Sequence, residues 1–161
     1  MSHSTTGGYS SSGLAAEAES LRLSSFTIDD AIDLGLLATD RARTDGLGIL
    51  LEVHHLGRVV YRAALPGSLP DSDDWIARKA RVVERFQAST MSVRVSFEEK
   101  GTTFTGATGL SELQFAAHGG GFPIHVTGVG MVGAIYASGM PQVQDHEFLV
   151  ACLRAFADAA A

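Results

Sequence analysis

Basic side chains are concentrated in one short stretch of the sequence. Arg78, Arg81 and Arg85 recur at intervals of three and four residues, and Lys79 stands beside the first of them. On a helix this spacing favours one face, where charge-assisted hydrogen bonds could hold a carboxylate or a phosphate. The alternative is a solvated face balanced by neighbouring acids. We favour that alternative for Arg81, and an anion-binding role for Arg78 and Lys79.

A glycine-rich loop is the second candidate for chemistry. His118 precedes Gly119, Gly120 and Gly121, and Phe122 follows them. Three consecutive glycines are unfavourable to order unless the backbone must approach a ligand or another chain closely. Their N–H groups could line an anion-binding nest, and His118 would add a proton-transfer group or a metal ligand. A flexible turn before a strand explains the same residues about equally well.

A third candidate lies near the C-terminus, where SGMPQVQDHE leads into the last predicted helix. Asp145 and His146 fall in its first turn, where the helix dipole favours an anionic aspartate and a neutral imidazole. His146 could therefore be a base or a metal ligand, whereas Asp145 is more commonly a cap. Trp75 would supply an aromatic wall to a site, although a core position is commoner.

The stretch GVGMVG, from Gly128 to Gly133, matches the GxGxxG pattern of dinucleotide-binding loops. That pattern requires a helix that begins among the glycines. Here the β-rich segment AIYAS follows, so Gly128 and Gly130 are better explained by the positive φ of a hairpin turn. We expect that dinucleotides do not bind.

The elements that position these residues alternate between helices and strands. A capping box at Thr27 with Asp30 starts a helix that extends to about Thr44 and is expected to bury Ile32 and Leu36. The remaining elements are a hairpin over 48–65, a loop over 66–74, a helix over about 73–86, two strands at 123–126 and 131–138, and a final helix over about 143–159.

Two segments are ambiguous. Met91, Val93, Val95 and Phe97 alternate as in a strand, which makes the conformation of 89–100 uncertain from periodicity alone. Residues 101–113 read as a loop with at most one short helical turn.

Composition narrows the class of protein. The chain has 161 residues, a net charge of −6, 45% hydrophobic residues and one cysteine, Cys152. These values predict one globular domain without a disulfide, and they argue against nucleic-acid binding. No apolar run is long enough to span a membrane, and no signal peptide is recognisable, so we expect a cytoplasmic protein. Residues 1–20 are expected to form a disordered tail, and 21–161 the domain.

Three stretches together resemble a known family. ALPGSLPDSDDWIARKARVVERF, AAHGGGFPIHVTGVGMVGAIYASG and PQVQDHEFLVACLRAF are similar to an uncharacterised branch of the haem-degrading-type domain family. That family also includes GlcG-like proteins and the C-terminal domain of some cobalamin adenosyltransferases. The likeness covers about Leu21–Ala157.

The resemblance implies a single α/β (α+β) domain with an antiparallel sheet, profilin-like or PAS-like, and helices packed on it. It further implies a homo-oligomer, a helix after Ser89-Thr90, and haem or a related tetrapyrrole as a candidate cofactor. Two positions depart from the family pattern, and the first of them removes one potential iron ligand and so weakens haem binding. The branch usually has a histidine where this chain has Ala88, and an arginine where it has Ala77.

Two functions follow as hypotheses. The first is a small-molecule or cofactor-binding protein with a site for an anionic ligand; its predicted residues are Trp75, Arg78, Lys79, His118, Gly119, Gly120, Gly121, Phe122, Asp145 and His146. The second is an oligomeric scaffold in which these residues form subunit contacts. No metal site is predicted, and because no nucleophile–base pair is recognisable, the sequence does not decide whether the protein is an enzyme.

Overall fold

The structure is a computed structural model that describes residues 5–161. Within this range it contains six helices and four strands. In chain order they are α1 (Ser11–Ser20), α2 (Ile28–Thr44), β1 (Leu50–His55), β2 (Arg58–Ala64), α3 (Asp71–Phe86), α4 (Thr90–Glu99), α5 (Phe104–Thr108), β3 (Gly121–Val126), β4 (Gly130–Ser138) and α6 (Gln142–Ala160). The predicted α+β architecture with an antiparallel sheet is confirmed.

The four strands form one antiparallel sheet in the order β2-β1-β4-β3. Two local hairpins, β1–β2 and β3–β4, are joined through the central pair β1–β4. The first hairpin turns at Leu56 and Gly57, whose φ angles are 50° and 76°. The second turns at Gly128 and Gly130, with φ angles of 79° and 114°.

Each face of the sheet is covered by helices. Leu51, Val53 and Ile135 belong to the main core with buried residues of α2 and α6. On the opposite face, Leu50 and Tyr136 pack against α3. Successive side chains of β1 point to opposite faces of the sheet, so they contribute alternately to two separate cores.

The glycines of GVGMVG are part of the β3–β4 hairpin. Strand β4 begins at Gly130, so a strand and not a helix follows the first glycines, as predicted. Gly133 lies opposite His55 in the sheet, and a Cβ there would come within 2.5 Å of the His54 carbonyl oxygen. Hairpin geometry and close strand packing account for the pattern.

Helix α2 begins as the sequence predicts but buries a different face. The Thr27 side chain accepts from Asp30 N, and the Asp30 carboxylate accepts from Thr27 N, which completes the capping box. The expectation that Ile32 and Leu36 are buried is wrong, because they are 37% and 51% exposed. The small residues of α2, with Leu34, face the sheet instead; they are Ala31, Gly35, Ala38 and Ala42. At Gly35 a Cβ would overlap the ring of Tyr61, so the helix lies close to the sheet.

The segment whose alternation resembles a strand is helix α4. Met91 and Val95, four residues apart, pack against Leu14 of α1. Val93 points to the other side and packs with Val82 of α3. A helix buried on two sides places apolar residues at every second position, which explains the misleading alternation.

The N-terminal region differs from the expected disordered tail. Within it, Ser11–Ser20 form α1, which begins at the N-cap Ser10. Leu14 is only 2% exposed, and Ser11 donates to the Glu99 carboxylate of α4. Apolar contacts of Leu14 and Ala18, together with several polar contacts, order a segment whose composition alone predicts disorder. Residues 1–4, the first part of that predicted tail, lie outside the described residues.

Among residues 5–161 no helix is long and apolar enough to cross a membrane.

Candidate functional site

A cavity of about 400 Å³ lies between α3, the glycine-rich loop, the end of β4 and the start of α6. We call it the α3–α6 cavity. Its walls are formed by Gly48, Gly67, Leu69, Asp71, Ser72, Trp75, Lys79, His118, Gly119, Ser138, Gly139, Met140, Gln142 and Asp145. Five of the ten predicted site residues are among them: Trp75, Lys79, His118, Gly119 and Asp145. Lys79 and His118 therefore border the same space.

A buried ion pair borders this cavity. Lys79 Nζ lies 3.2 Å from Asp145 Oδ2 and donates to the Ala137 carbonyl oxygen at 2.9 Å. Their side chains are only 3% and 2% exposed. Asp145 Oδ1 also accepts from Met140 N at 3.2 Å. The pair thus joins α3, the end of β4 and the first turn of α6 at one point.

Burial disfavours both charges of this pair. It lowers the pKa of Lys79, and Asp145 opposes that shift. It raises the pKa of Asp145 to about 6, against the opposing effect of the Lys79 charge. Burial therefore brings the pKa values of the two groups closer together, while each charge opposes the shift of the other.

The three glycines bring backbone against this ion pair. A Cβ on Gly120, whose φ is +123°, would overlap the Ala137 carbonyl oxygen and Lys79 Nζ, and would lie 3.1 Å from Asp145 Cβ. A Cβ on Gly119 would overlap the carbonyl oxygen of Gln142, and one on Gly121 would lie 2.9 Å from Thr90 Cγ2. Close packing therefore explains the glycines more directly than the expected turn or anion nest does.

Two of the three glycine amides already have partners within the chain. Gly119 N donates to Gln142 Oε1 at 3.1 Å, and Gly121 N donates to Thr90 Oγ1 at 3.0 Å. An anion nest built from all three amides is not formed. Of these glycines only Gly119 lines the cavity.

An aromatic pair forms the rim of the cavity. The rings of Trp75 and His118 meet edge to face with centroids 5.2 Å apart, and the Arg78 guanidinium lies 4.4 Å above the Trp75 ring. Burial, together with the charges of Arg94, Lys79 and Arg78, lowers the pKa of His118 to about 4. His118 is therefore neutral at physiological pH, with one nitrogen that donates and one that accepts.

The arginines of α3 hold the loop before the glycines. Arg78 Nε donates to the Glu112 carbonyl oxygen at 2.9 Å, and Arg81 Nη1 donates to that of Gln114 at 3.0 Å. Arg78 lines a separate cavity of about 130 Å³ on the far side of His118. Arg78 therefore fixes the loop, and it does not line the α3–α6 cavity.

His146 and Phe122 lie in the protein interior and not at the cavity. His146 is fully buried, its Nε2 is 2.7 Å from Glu17 Oε1 of α1, and its ring lies 5.8 Å from that of Phe122. Asp145 and His146 are adjacent in the sequence, but they point to different sides of α6. The expected shared site of these two residues is not formed.

Several residues of the cavity wall were not predicted from the sequence. Ser138 is 5% exposed, and its hydroxyl has no hydrogen-bond partner among residues 5–161. Gln142 connects the glycine loop to α6, and Asp71 accepts from Trp75 Nε1 at 3.1 Å. The segments SGMPQVQDHE and PGSLPDSDD contain these residues, but no spacing rule singles them out. In the described part of the chain no group of three or more His, Cys, Asp or Glu side chains could hold a metal ion.

Residues 26–154 match the family of HbpS-like haem degrading proteins. The chain belongs to this family. The resemblance proposed from the sequence is thereby confirmed. Among similar proteins, a UPF0303 protein of Streptomyces coelicolor is 48% identical over 131 residues, which cover 81% of this chain and 83% of that protein.

Solved structures share the HbpS-like fold. The crystal structure of Ybr137w protein superposes with a TM-score of 0.85 at 25% identity, covering 93% of this chain and 89% of that one. PduOC, solved as a complex with haem, gives a TM-score of 0.68 at 18% identity, with coverage of 81% and 94%.

The two departures from the family pattern lie away from the cavity. Ala77 is exposed on α3, and Ala88 packs against the apolar cluster that contains Val82, Val93 and Phe104. A histidine at position 88 would therefore not face the α3–α6 cavity in this fold.

Proposed function

We propose that this HbpS-like protein binds a small ligand with a carboxylate or similar anionic group in the α3–α6 cavity. The observation that carries the proposal is the buried Lys79–Asp145 pair at a cavity with free polar groups. A buried ion pair is weak evidence for stability, since apolar replacements are often neutral or stabilising. The position of the pair at a cavity therefore favours a functional role over a purely stabilising one.

Three groups supply hydrogen bonds to such a ligand. An ammonium has three donors, and two of those on Lys79 are used by Ala137 and Asp145, which leaves one. The Ser138 hydroxyl lacks a partner in the described range, and the neutral His118 ring can donate or accept. Helix α6 begins at this cavity without a side-chain cap at Pro141, and its dipole favours a negative charge there.

Haem fits this cavity poorly. PduOC has been solved as a complex with haem, and the family is that of HbpS-like haem degrading proteins. A porphyrin needs an apolar slot along both faces and an axial ligand. His118 and Met140 are potential iron ligands, but within residues 5–161 the large apolar side chains of the wall are limited to Leu69, Trp75 and Met140, and a buried ion pair borders it. We therefore assign the cavity to a small polar ligand.

Trp75 provides a direct measurement of binding, because it is the only tryptophan of the chain and it lines the cavity. We expect lactate to change the Trp75 fluorescence in a saturable way and the neutral isostere lactamide to bind more weakly. Loss of a hydrogen bond to a charged group costs about 1.5–3 kcal/mol, so Lys79→Met should weaken lactate binding roughly 10- to 150-fold.

Lys100→Met is the matched control, because Lys100 is exposed at the end of α4 and should leave binding unchanged. The proposal fails if acetate, lactate and succinate at millimolar concentrations all leave the Trp75 fluorescence and the Tm unchanged.

Self-association is a second proposal, supported by a different surface. Ile28, Ile32 and Leu36 recur every four residues on α2 and are 47%, 37% and 51% exposed. Such a stripe is typical of a face that another molecule covers, and a second copy of the chain is the occupant we expect.

Sedimentation should show at least a dimer, and Leu36→Asp should shift it toward monomer. Leu113→Asp, at a leucine 85% exposed outside α2, should not. A wild-type monomer at micromolar concentration would overturn this proposal.

A further inference from the structure

We propose that Lys79 binds a 2-oxo carboxylate covalently in the α3–α6 cavity, as an imine between its Nζ and the ketone carbon. The inference rests on the proposed function, because it uses the same cavity and the same anionic group. It adds the substrate class and a reaction: a carboxylate that carries a ketone beside it.

The first argument is the position of the amine. Lys79 lines the cavity, yet its side chain is only 3% exposed, so a ligand that enters the cavity meets a largely dehydrated amine. Lysines that form imines are typically of this kind, because burial lowers the pKa of the ammonium and so increases the fraction of free, nucleophilic amine. The backbone of the glycine loop packs directly against Nζ and limits its movement.

The second argument is the adjacent carboxylate. Asp145 Oδ2 lies 3.2 Å from Lys79 Nζ, within reach of a proton. Asp145 is itself fixed by Met140 N, so it is held at one angle to the amine. The raised pKa of Asp145 and the lowered pKa of Lys79 agree with proton transfer in this direction.

The reaction balances without another reactant. Asp145 takes one proton from the Lys79 ammonium, and the free Nζ electron pair forms a C–N bond to the ketone carbon while the C=O π electrons move to oxygen. The carbonyl oxygen then leaves as water, with the proton returned by Asp145 and a second one from nitrogen. A ketone and an ammonium thus give a protonated imine and one water, and Asp145 ends in its original state.

The ligand's carboxylate has partners at the same place. The Ser138 hydroxyl and the uncapped start of α6 border the cavity on the side of Asp145. His118 and Trp75 form part of the cavity wall as an edge-to-face pair. A 2-oxo acid the size of pyruvate places its carboxylate one bond from the reacting carbon, which suits a cavity in which amine and anion donors lie together.

The chain has only two lysines, Lys79 and Lys100, so the test has few confounding sites. Pyruvate and borohydride are added to the full-length protein, and the reduced adduct is located by intact mass and peptide mapping. We expect one adduct, on Lys79, in spite of the greater exposure of Lys100. Lys79→Arg should abolish it, and Lys100→Arg should retain it.

Asp145→Asn keeps the amine but removes the proton acceptor, and it should slow trapping about 100-fold, in the range of general acid–base catalysis. If the Tm and circular dichroism of this variant stay close to those of the wild type, slower trapping reports the loss of proton transfer and not a change in packing. The mapping of the wild-type adduct does not depend on the folding of any variant.

Two outcomes overturn the proposal: no adduct, or an adduct found on Lys100 or the N-terminus at least as fast as on Lys79. Lactate distinguishes this failure from that of the proposed function. If lactate and pyruvate change the Trp75 fluorescence but no adduct forms, the imine is refuted and small-carboxylate binding stands. If neither ligand has an effect, and acetate and succinate have none either, both proposals fall.

Discussion

Gly120→Ala is the substitution that most directly tests the packing of the glycine loop against the Lys79–Asp145 pair. Gly120 has a φ of +123°, and a Cβ there would overlap the Ala137 carbonyl oxygen and Lys79 Nζ. The carbonyl belongs to β4 and cannot move without disturbing the sheet. The methyl group must therefore displace the loop, the ion pair or both.

The expected loss of stability has two parts. A non-glycine residue in this backbone region costs about 1–3 kcal/mol. Overpacking by one methyl group adds about 1–3 kcal/mol. Together they lower the free energy of unfolding by about 2–6 kcal/mol, and each kcal/mol corresponds to roughly 2–4 °C in Tm for a chain of this size.

Gly130→Ala is the matched control. Its φ of +114° is similar, but a Cβ at this position meets nothing within 4 Å, so it retains only the backbone part. Urea denaturation of both variants measures the difference, which we expect to be about 1–3 kcal/mol. If the two variants agree within about 0.5 kcal/mol, the steric reasoning is refuted.

Three further predictions concern other parts of the molecule. Leu14→Ala should lower the free energy of unfolding by about 2–5 kcal/mol, because Leu14 is 2% exposed between α1 and α4; a value under about 0.5 kcal/mol in urea denaturation would show that α1 does not pack there. The pKa of His118 falls from 6.5 to about 4 on folding, so over that range the unfolded chain binds a proton that the folded chain excludes. Relative to His118→Asn, the wild type should lose stability as the pH falls through this window, and a pH-independent difference between the two would contradict the shift. NAD and NADP should not bind in calorimetry, since a strand follows the glycines at 128–133; a micromolar dissociation constant for either would overturn this.

The parts of the fold that could be predicted are those that one local sequence signal specifies. The Thr27 capping box and the turn glycines at 57, 128 and 130 each specify a helix start or a hairpin through short-range geometry. Periodicity alone misled where burial depends on distant contacts, although the family resemblance implied the helix after Thr90 that the structure contains. Helix α4 is apolar on two sides because α1 and α3 both cover it, and α2 turns its small residues to the sheet because Tyr61 requires a close approach.

Part of the candidate site could be predicted from residue types alone. Lys79, His118, Trp75 and Asp145 were identified by residue type, and the fold brings them to one cavity. His146 was included because it follows Asp145, but successive helical residues point about 100° apart, which sends it toward α1. Ser138 was missed because an isolated serine at a strand end carries no pattern, and only its unpaired hydroxyl in the folded state draws attention to it.

The strand order β2-β1-β4-β3 has a consequence for how this chain folds. Each hairpin closes a short loop, and such loops form in about 1–10 μs. The central pair is different, because His55 of β1 lies opposite Gly133 of β4, with β2, α3, α4, α5 and β3 between them in the chain. The entropy of closing that long loop must be overcome before the sheet exists, and non-local pairing of this kind slows folding. We therefore expect the docking of the two hairpins to limit the folding rate. The Lys79–Asp145 contact joins α3 to α6 across the same long separation, so the cavity can be complete only after that step.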